Sequence, residues 1–288
     1  MYRDYKIVAF IPAGRKKTMD VLLKYLNINK GIIDEVQLWV NTLNDEDVNY
    51  IKSVQNDFIK PVFYEFPEAY IPNPIQYNTG KWYRNTKDID TIYIRFDDDI
   101  IYIEDDFFKN LLNFRIDNPD YFLVFPNIWN NAIISYIQQE LNHIDRDHGI
   151  VESPYCMDMV GWGSATFAEY IHRLLLEKIR NKTQKDLFFD TYPLENQKRF
   201  SISSFAFFGR DFAKFNGEIG NIDEETWLTE IYPKESGVKN IIFGGALISH
   251  YTFSPHQKSY IETTDIFNQY KEIGEQKLSD NYYNLLNK

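Results

Sequence analysis

Alternating apolar and polar positions divide the first half of the chain into short strands and amphipathic helices. Residues 6–11 form an apolar run closed by Pro12, Ala13, Gly14 and Arg15, a strand that ends in a turn. Behind it Val21, Leu22, Tyr25 and Leu26 share one face at helical spacing, with Thr18 placed to cap that helix. Residues 36–40 read as a second strand ending at Asn41, residues 45–58 as a helix and residues 61–66 as a third strand. Residues 75–87 read as a helix weakened by Gly80, and residues 91–96 as a fourth strand. Strand and helix alternate at short spacing, which predicts an α/β fold: a mostly parallel central sheet flanked by helices. In such sheets ligands sit beyond the carboxyl ends of the strands.

The fourth strand carries the first candidate chemistry. Ile92, Ile94 and Phe96 lie on one face, and the strand runs straight into Asp97, Asp98 and Asp99. In extended chain Asp97 and Asp99 fall on one side and Asp98 on the other. Two converging carboxylates at a buried strand end repel each other, and a divalent cation with a taste for hard oxygen ligands removes that repulsion. A solvated acidic loop is the plainer alternative. Arg15 and Asn41 stand at carboxyl ends as well. Glu104, Asp105 and Asp106 open a further helix through Phe114, where acids suit the positive end of the helix dipole, so they are left outside the site.

The second half is less regular. Residues 121–126 read as a fifth strand, and Phe167, Tyr170, Ile171, Leu174 and Leu175 mark one face of a helix on which His172 is a surface or packing residue. Trp162, between Gly161 and Gly163, is an aromatic in a flexible turn that either lines a pocket or packs inward, the latter favoured. Residues 200–208 read as a strand and residues 241–249 as the last one, which delivers His250 at its carboxyl end. Residues 260–288 are polar with scattered Ile, Tyr and Leu, as expected of helices wrapping the domain or meeting another subunit.

Composition narrows the classes. The 288 residues are 44% hydrophobic and 17% aromatic, which suits a globular core large enough for one α/β domain. A net charge of -11 argues against gripping a nucleic-acid backbone or coating an anionic membrane. Cys156 is the single cysteine, so no disulfide framework exists and a reducing, cytoplasmic setting is expected. Residues 1–11 lack the layout of a signal peptide, and no apolar run approaches the ~20 residues of a membrane span.

In order, these parts resemble the GT-A class of nucleotide-sugar-dependent glycosyltransferases, most closely the style of glycosyltransferase family 2. Four segments carry the resemblance: residues 7–15; the run Gly80-Lys81-Trp82-Tyr83-Arg84-Asn85 followed by the strand and its aspartates; residues 203–217; and the acids Asp223, Glu224 and Glu225 before Trp227 and Leu228. It covers most of residues 1–255 and implies a Rossmann-like GT-A catalytic domain over residues 1–258. Residues 1–126 would be its nucleotide-sugar half, residues 127–258 its acceptor half, and residues 259–288 a helical tail able to mediate homo-oligomers.

The resemblance implies Mn or Mg as cofactor and a UDP-sugar as donor, with a glycan or other hydroxyl compound as acceptor. Asp97 and Asp99 would bind metal or ribose, Asp99 being the firmer metal ligand, and His250 is a further candidate ligand ahead of His256. Asp98 would turn to the donor sugar or a neighbouring strand. Arg84 can pair with the diphosphate through its forked donors or form a surface ion pair, and Arg15 carries the same choice. Asn41 stands where many relatives place an aspartate that holds the uracil, a departure that touches the base contact. If transfer inverts the anomeric centre, a carboxylate must take the acceptor's proton, and Glu224 or Glu225, then Asp223, are the candidates. Acids in a first helical turn explain the same positions structurally.

Two other classes remain. A sugar-phosphate nucleotidyltransferase shares the sheet and metal and has a Gly-rich basic loop after the first strand, of which Gly14-Arg15-Lys16-Lys17 is an echo. A non-catalytic carbohydrate- or nucleotide-binding protein on the same fold is the other. A dehalogenase-type phosphatase is discounted, because its acidic motif follows the first strand, and here that strand ends in Pro-Ala-Gly-Arg.

Overall fold

A computed structural model of the chain describes residues 1–63, 80–194, 199–220 and 222–286. Its strands are β1 (Lys6–Ala13), β2 (Glu35–Val40), β3 (Ile59–Val62), β4 (Thr91–Phe96), β5 (Ile100–Ile103), β6 (Tyr121–Trp129), β7 (Thr191–Pro193), β8 (Ser204–Phe208) and β9 (Lys239–His250). Its main helices are α1 (Lys16–Ile28), α2 (Asp45–Ser53), α3 (Phe107–Asp117), α4 (Ala132–Glu140), α5 (Ala165–Arg180) and α6 (Gly209–Ala213). A helical stretch over residues 224–236, with a π-helical turn at Trp227–Ile231, is α7, followed by α8 (Pro255–Ile261) and α9 (Ile266–Leu286).

One sheet holds all nine strands in the order β3-β2-β1-β4-β8-β6-β9-β5, with β7 beside β9. The first four strands are mutually parallel, β6 and β9 run with them, and β5, β7 and β8 oppose them. The mostly parallel α/β sheet expected from the apolar pattern is therefore present. The chain passes from β4 to β5 through Asp97–Asp99 alone, yet three strands stand between them in the sheet. Four Cα steps reach at most about 14 Å, whereas four strand intervals in a flat sheet cover about 19 Å. The sheet must curl, and the curl brings the end of β9 back towards the end of β4.

The aromatic residues are mostly core. Phe10 stacks on Trp39 with ring centroids 4.1 Å apart, Tyr93 on Phe207 at 5.5 Å, and Tyr83 on Phe212 at 5.4 Å. α9 packs against α1 and β5 with Tyr270 fully buried.

Several boundaries differ from the sequence expectation. Thr18 lies inside the first turn of α1, where Arg15 occupies the cap position without a capping side chain, and the Thr18 hydroxyl bonds back to the Arg15 carbonyl. α2 ends at Ser53 rather than residue 58, because Asn56 turns the chain by accepting from the amides of Phe58 and Ile59 and so starts β3 earlier. Residues 64–66 of the expected third strand and 75–79 of the expected helix lie outside the described residues. The remainder of that helix is helical at 80–82 and ends in a 3-10 turn at Tyr83–Asn85. The helix expected to open at Glu104 starts at Phe107, since β5 occupies the preceding residues and the Glu104 carboxylate accepts from the Asp106 amide. α4 was not anticipated. His172 is buried in α5, bonded to the Tyr251 carbonyl and the Tyr270 hydroxyl, a packing residue as expected.

Gly217 joins the two halves closely. It has φ +66°, and a Cβ there would meet the Tyr83 carbonyl oxygen at 2.2 Å. Gly217→Ala is expected to destabilise the fold by about 2–4 kcal/mol through left-handed strain and overpacking. Urea denaturation monitored by Trp fluorescence measures it, and a loss within the ±0.5 kcal/mol of a bland surface change would contradict it.

Candidate metal centre and cleft

The carboxyl edge of the sheet gathers the chemistry. β4 runs into Asp97, whose amide donates to the Ser203 carbonyl at 2.7 Å, and the Tyr251 amide donates to the Asp99 carbonyl at 3.0 Å. The turn is thus pinned on one side by the entry to β8 and on the other by the exit from β9. Ile100 pairs with His250, which fixes the histidine beside the aspartates.

Asp98 points away from its two neighbours, as period two predicts, into the turn between β1 and α1. Its carboxylate accepts from the amides of Gly14 and Arg15, each at 2.7 Å, and from Arg15 Nε at 2.5 Å. A Cβ on residue 14 would meet the Asn41 carbonyl oxygen at 2.9 Å, so glycine lets this turn pass close to the end of β2 and aim its amide at Asp98. Burial and the nearby Asp99 raise the Asp98 carboxyl to about 6, against the pull of Arg15 and the Gly14 amide. Asp98 is bonded to the turn that follows β1, the neighbouring strand to which one of its two expected directions pointed.

Asp97, Asp99 and His250 converge, with one ligand atom from each lying within 4.8 Å of the others. His250 Nε2 is 3.0 Å from Asp99 and 3.7 Å from Asp97. His250 Nδ1 is buried without a hydrogen-bond partner among the described residues, and Asp99 Oδ1 is buried against the His250 ring. Two carboxylates and one imidazole that converge within 4.8 Å fit a divalent cation, and this group can hold one. Burial alone would lower the His250 pKa, but Asp99 and Asp97 overcome it and lift the group to about 9. Arg15 Nη1 also donates to Asp99 at 2.8 Å, while half of that side chain stays exposed to the cleft.

Arg95 was not singled out from the sequence, although it is a charge inside an otherwise apolar strand. It is buried and donates to Asp97 at 2.8 Å, to Glu224 at 2.7 Å and to the Ile202 carbonyl. Burial opposes its charge, and the Asp97 and Glu224 carboxylates more than restore it. Removing one member of such a buried set leaves an uncompensated charge costing about 3–5 kcal/mol.

The three later acids take three positions. Asp223 caps α7 by accepting from the Thr226 amide at 2.9 Å, and Glu224 is bound to Arg95. Glu225 lines a cleft of about 400 Å³ with Asp97, Asp99, His250, Arg15 and Trp162. Arg199, also missed in the sequence, donates to Glu225 at 2.6 Å. Burial raises the Glu225 pKa and Arg199 opposes it. Trp162, expected to pack inward, is half-buried on the cleft wall because residues 155–164 form a run of turns beside α5 rather than a core element.

Arg84 does not join this group. It is exposed and pairs with Glu218 at 3.1 Å, the surface alternative. Asn41 stands at the end of β2 with its side-chain oxygen buried and without a partner among the described residues. His256 is exposed in the first turn of α8. Cys156 lines the cleft, but burial pushes its thiol up to about 11, which leaves it unreactive. No helix among the described residues is long and apolar enough to cross a membrane.

No family model and no curated protein matches the chain. Among solved structures it is similar to a 4-diphosphocytidyl-2C-methyl-D-erythritol synthase from Anaerococcus prevotii, with 17% sequence identity and a TM-score of 0.30. The match covers 43% of this chain and 55% of that one, so it spans little more than half of the neighbour's length.

The His250 shift sets a pH dependence. Its folded pKa of about 9 lies above the ordinary 6.5, so its stabilising effect is full below pH 6.5 and lost as pH rises towards 9. In a chelator, the native protein should lose up to about 3 kcal/mol relative to His250→Gln over that window. Denaturant titrations at pH 6 and 9 measure it; parallel pH profiles for the two proteins would refute it.

Proposed function

We propose that the chain is a metal-dependent glycosyltransferase that moves a sugar from a nucleoside-diphosphate sugar, UDP-linked, to a hydroxyl group of a glycan acceptor. The observation that carries this reading is one cleft holding both the Asp97, Asp99 and His250 cluster and the Glu225 carboxylate. When bound, manganese or magnesium would draw off the negative charge that builds on the diphosphate as its bond to the anomeric carbon breaks.

The chain's own groups complete the scheme. Arg15, half-exposed beside Asp99, offers further positive charge to the leaving diphosphate, whereas Arg84 is paired with Glu218. Asn41, at the end of β2, is the candidate for the base contact. Glu225 takes the proton of the acceptor hydroxyl, and its raised pKa brings a carboxylate closer to the range a general base needs. Arg199 holds that carboxylate in place, and Trp162 presents a ring to a sugar face. Residues 1–258 would form the catalytic domain, with α9 as the tail laid against α1.

Binding and turnover test the reading separately. A thermal-shift screen should give a rise in Tm with a UDP-sugar only when manganese is present, because a ligand of the native state stabilises it. Asp99→Asn should abolish that rise, while Glu225→Gln should keep it and lower the transfer rate by about 10²–10⁴-fold. Product formation from a nucleoside triphosphate plus a sugar phosphate, with none from any nucleotide sugar, would establish the nucleotidyltransferase instead. Metal-dependent binding with no chemistry on either substrate pair would establish a binding protein.

A further inference from the structure

Every residue of β4 is buried, and Arg95 stands among them between Ile94 and Phe96, only 4% exposed. Its guanidinium divides its donors between two acids from different parts of the fold. Nη1 donates to Asp97 Oδ1 at 2.8 Å and to the Ile202 carbonyl, and Nη2 donates to Glu224 Oε1 at 2.7 Å. Arg95 and Glu224 are not among the residues that line the cleft, nor do they belong to the group that can hold a cation. A buried arginine that served only to neutralise Asp97 would need no second carboxylate.

On the Asp97 side the contact fixes an orientation. Oδ1 is taken by Arg95, while Oδ2 lies 3.7 Å from His250 Nε2. A carboxylate held by one oxygen presents the other in a set direction, as hydrogen bonds behind metal ligands do.

On the other side the contacts fix the place of Glu225. Glu224 and Glu225 are adjacent in the first turn of α7, and of the two only Glu225 lines the cleft. Ile202, whose carbonyl accepts from Arg95, favours the charged Glu225 carboxylate through its backbone amide. The next residue, Ser203, accepts from the Asp97 amide at 2.7 Å. Residues 202 and 203 are thus bonded both to the strand that carries the aspartates and to the acid of the cleft. α7 then widens into its π-helical turn at Trp227–Ile231, where the Thr229 hydroxyl donates to the Glu225 carbonyl at 2.7 Å. Single π turns within helices are frequent at functional sites.

We propose that Arg95 is a positioning residue that couples the metal cluster to the Glu225 carboxylate. It turns Asp97 Oδ2 towards the cation and, through Glu224 and Ile202, sets Glu225 in the cleft. A cation that draws charge from Asp97 weakens the hold of Oδ1 on Arg95. More of the guanidinium charge then falls to Glu224 and the Ile202 carbonyl, so that loading is felt at Glu225. The use of Glu225 as proton acceptor rests on the transferase reading; the coupling itself does not.

The double variant R95Q/E224Q tests it, because one charge of each sign leaves together and neither partner is stranded. If Arg95 only neutralised acids, this variant would bind metal as the native protein does. With the coupling, isothermal titration should show manganese bound about tenfold or more weakly, and native affinity in a variant folded by circular dichroism would overturn the proposal. The second arm uses glutamate labelled with 13C at the carboxyl, the Glu225 resonance being the one lost in Glu225→Gln. Magnesium should shift that resonance in the native protein, and saturating magnesium should shift it less in R95Q/E224Q; an undiminished shift would overturn the coupling. Should the double variant not fold, Glu224→Gln alone is expected to diminish the shift, with the same result counting against it. In turnover of a UDP-sugar at saturating manganese, R95Q/E224Q should lose about 10–10²-fold in kcat with the donor KM held, and a native kcat would count against the placement of Glu225. No turnover of any nucleotide sugar by the native protein would sink the transferase reading, and the titration and resonance arms would still decide the coupling.

Discussion

Three consecutive carboxylates at the end of a buried strand are the constraint around which this structure is arranged. Asp98 and Asp99 are almost fully buried and Asp97 partly so, a placement unsustainable without compensation. Compensation arrives from three separate parts of the chain. The β1 turn contributes two amides and Arg15 to Asp98, the strand itself contributes Arg95 to Asp97, and the last strand contributes His250 to both outer aspartates. Arg15 and His250 come from distant stretches of sequence, so the cluster also ties the ends of β1 and β9 to the end of β4. The same arrangement that makes the aspartates tolerable makes them converge.

Topology explains how His250 reaches them. The short link between β4 and β5 forces the sheet to curl, because β5 must pair with β9 on the far side of β8 and β6. In a flat sheet the ends of β4 and β9 would stand about three strand spacings, or ~14 Å, apart, too far for a shared cation. The functional geometry is thus a consequence of chain length between two strands, and a longer link would relax it.

This division between local and long-range causes accounts for what the sequence made legible. The β1 to β4 alternation, the aspartates and their two-sided display, and His250 at a strand end all follow from period two and strand-end logic, which are local. Arg95 and Arg199 were missed because their roles depend on which acids the fold sets beside them, and no spacing announces that. Residues 155–164 offered no periodicity, so Trp162 could not be assigned to the cleft. For Arg84 the sequence left a diphosphate contact and a surface ion pair equally open, and only the fold could set Glu218 beside it. The choice among Asp223, Glu224 and Glu225 needed the partners of each, since a cap, an internal ion pair and a cleft-facing acid look alike in a run of three.

The charge balance of the cluster links its resting and working states. Four carboxylates, Asp97, Asp98, Asp99 and Glu224, face three cations, Arg15, Arg95 and protonated His250, leaving one negative charge in excess. An imidazole that ligates a metal must be neutral, so a divalent cation held by this cluster would enter in exchange for the histidine proton. That exchange brings the group to neutrality. A surplus negative charge would repel an anionic ligand, whereas a neutral cluster with the half-exposed Arg15 on its rim would not. A divalent cation held there would therefore do more than bridge the carboxylates: it would remove the surplus negative charge that sets this cleft against anions.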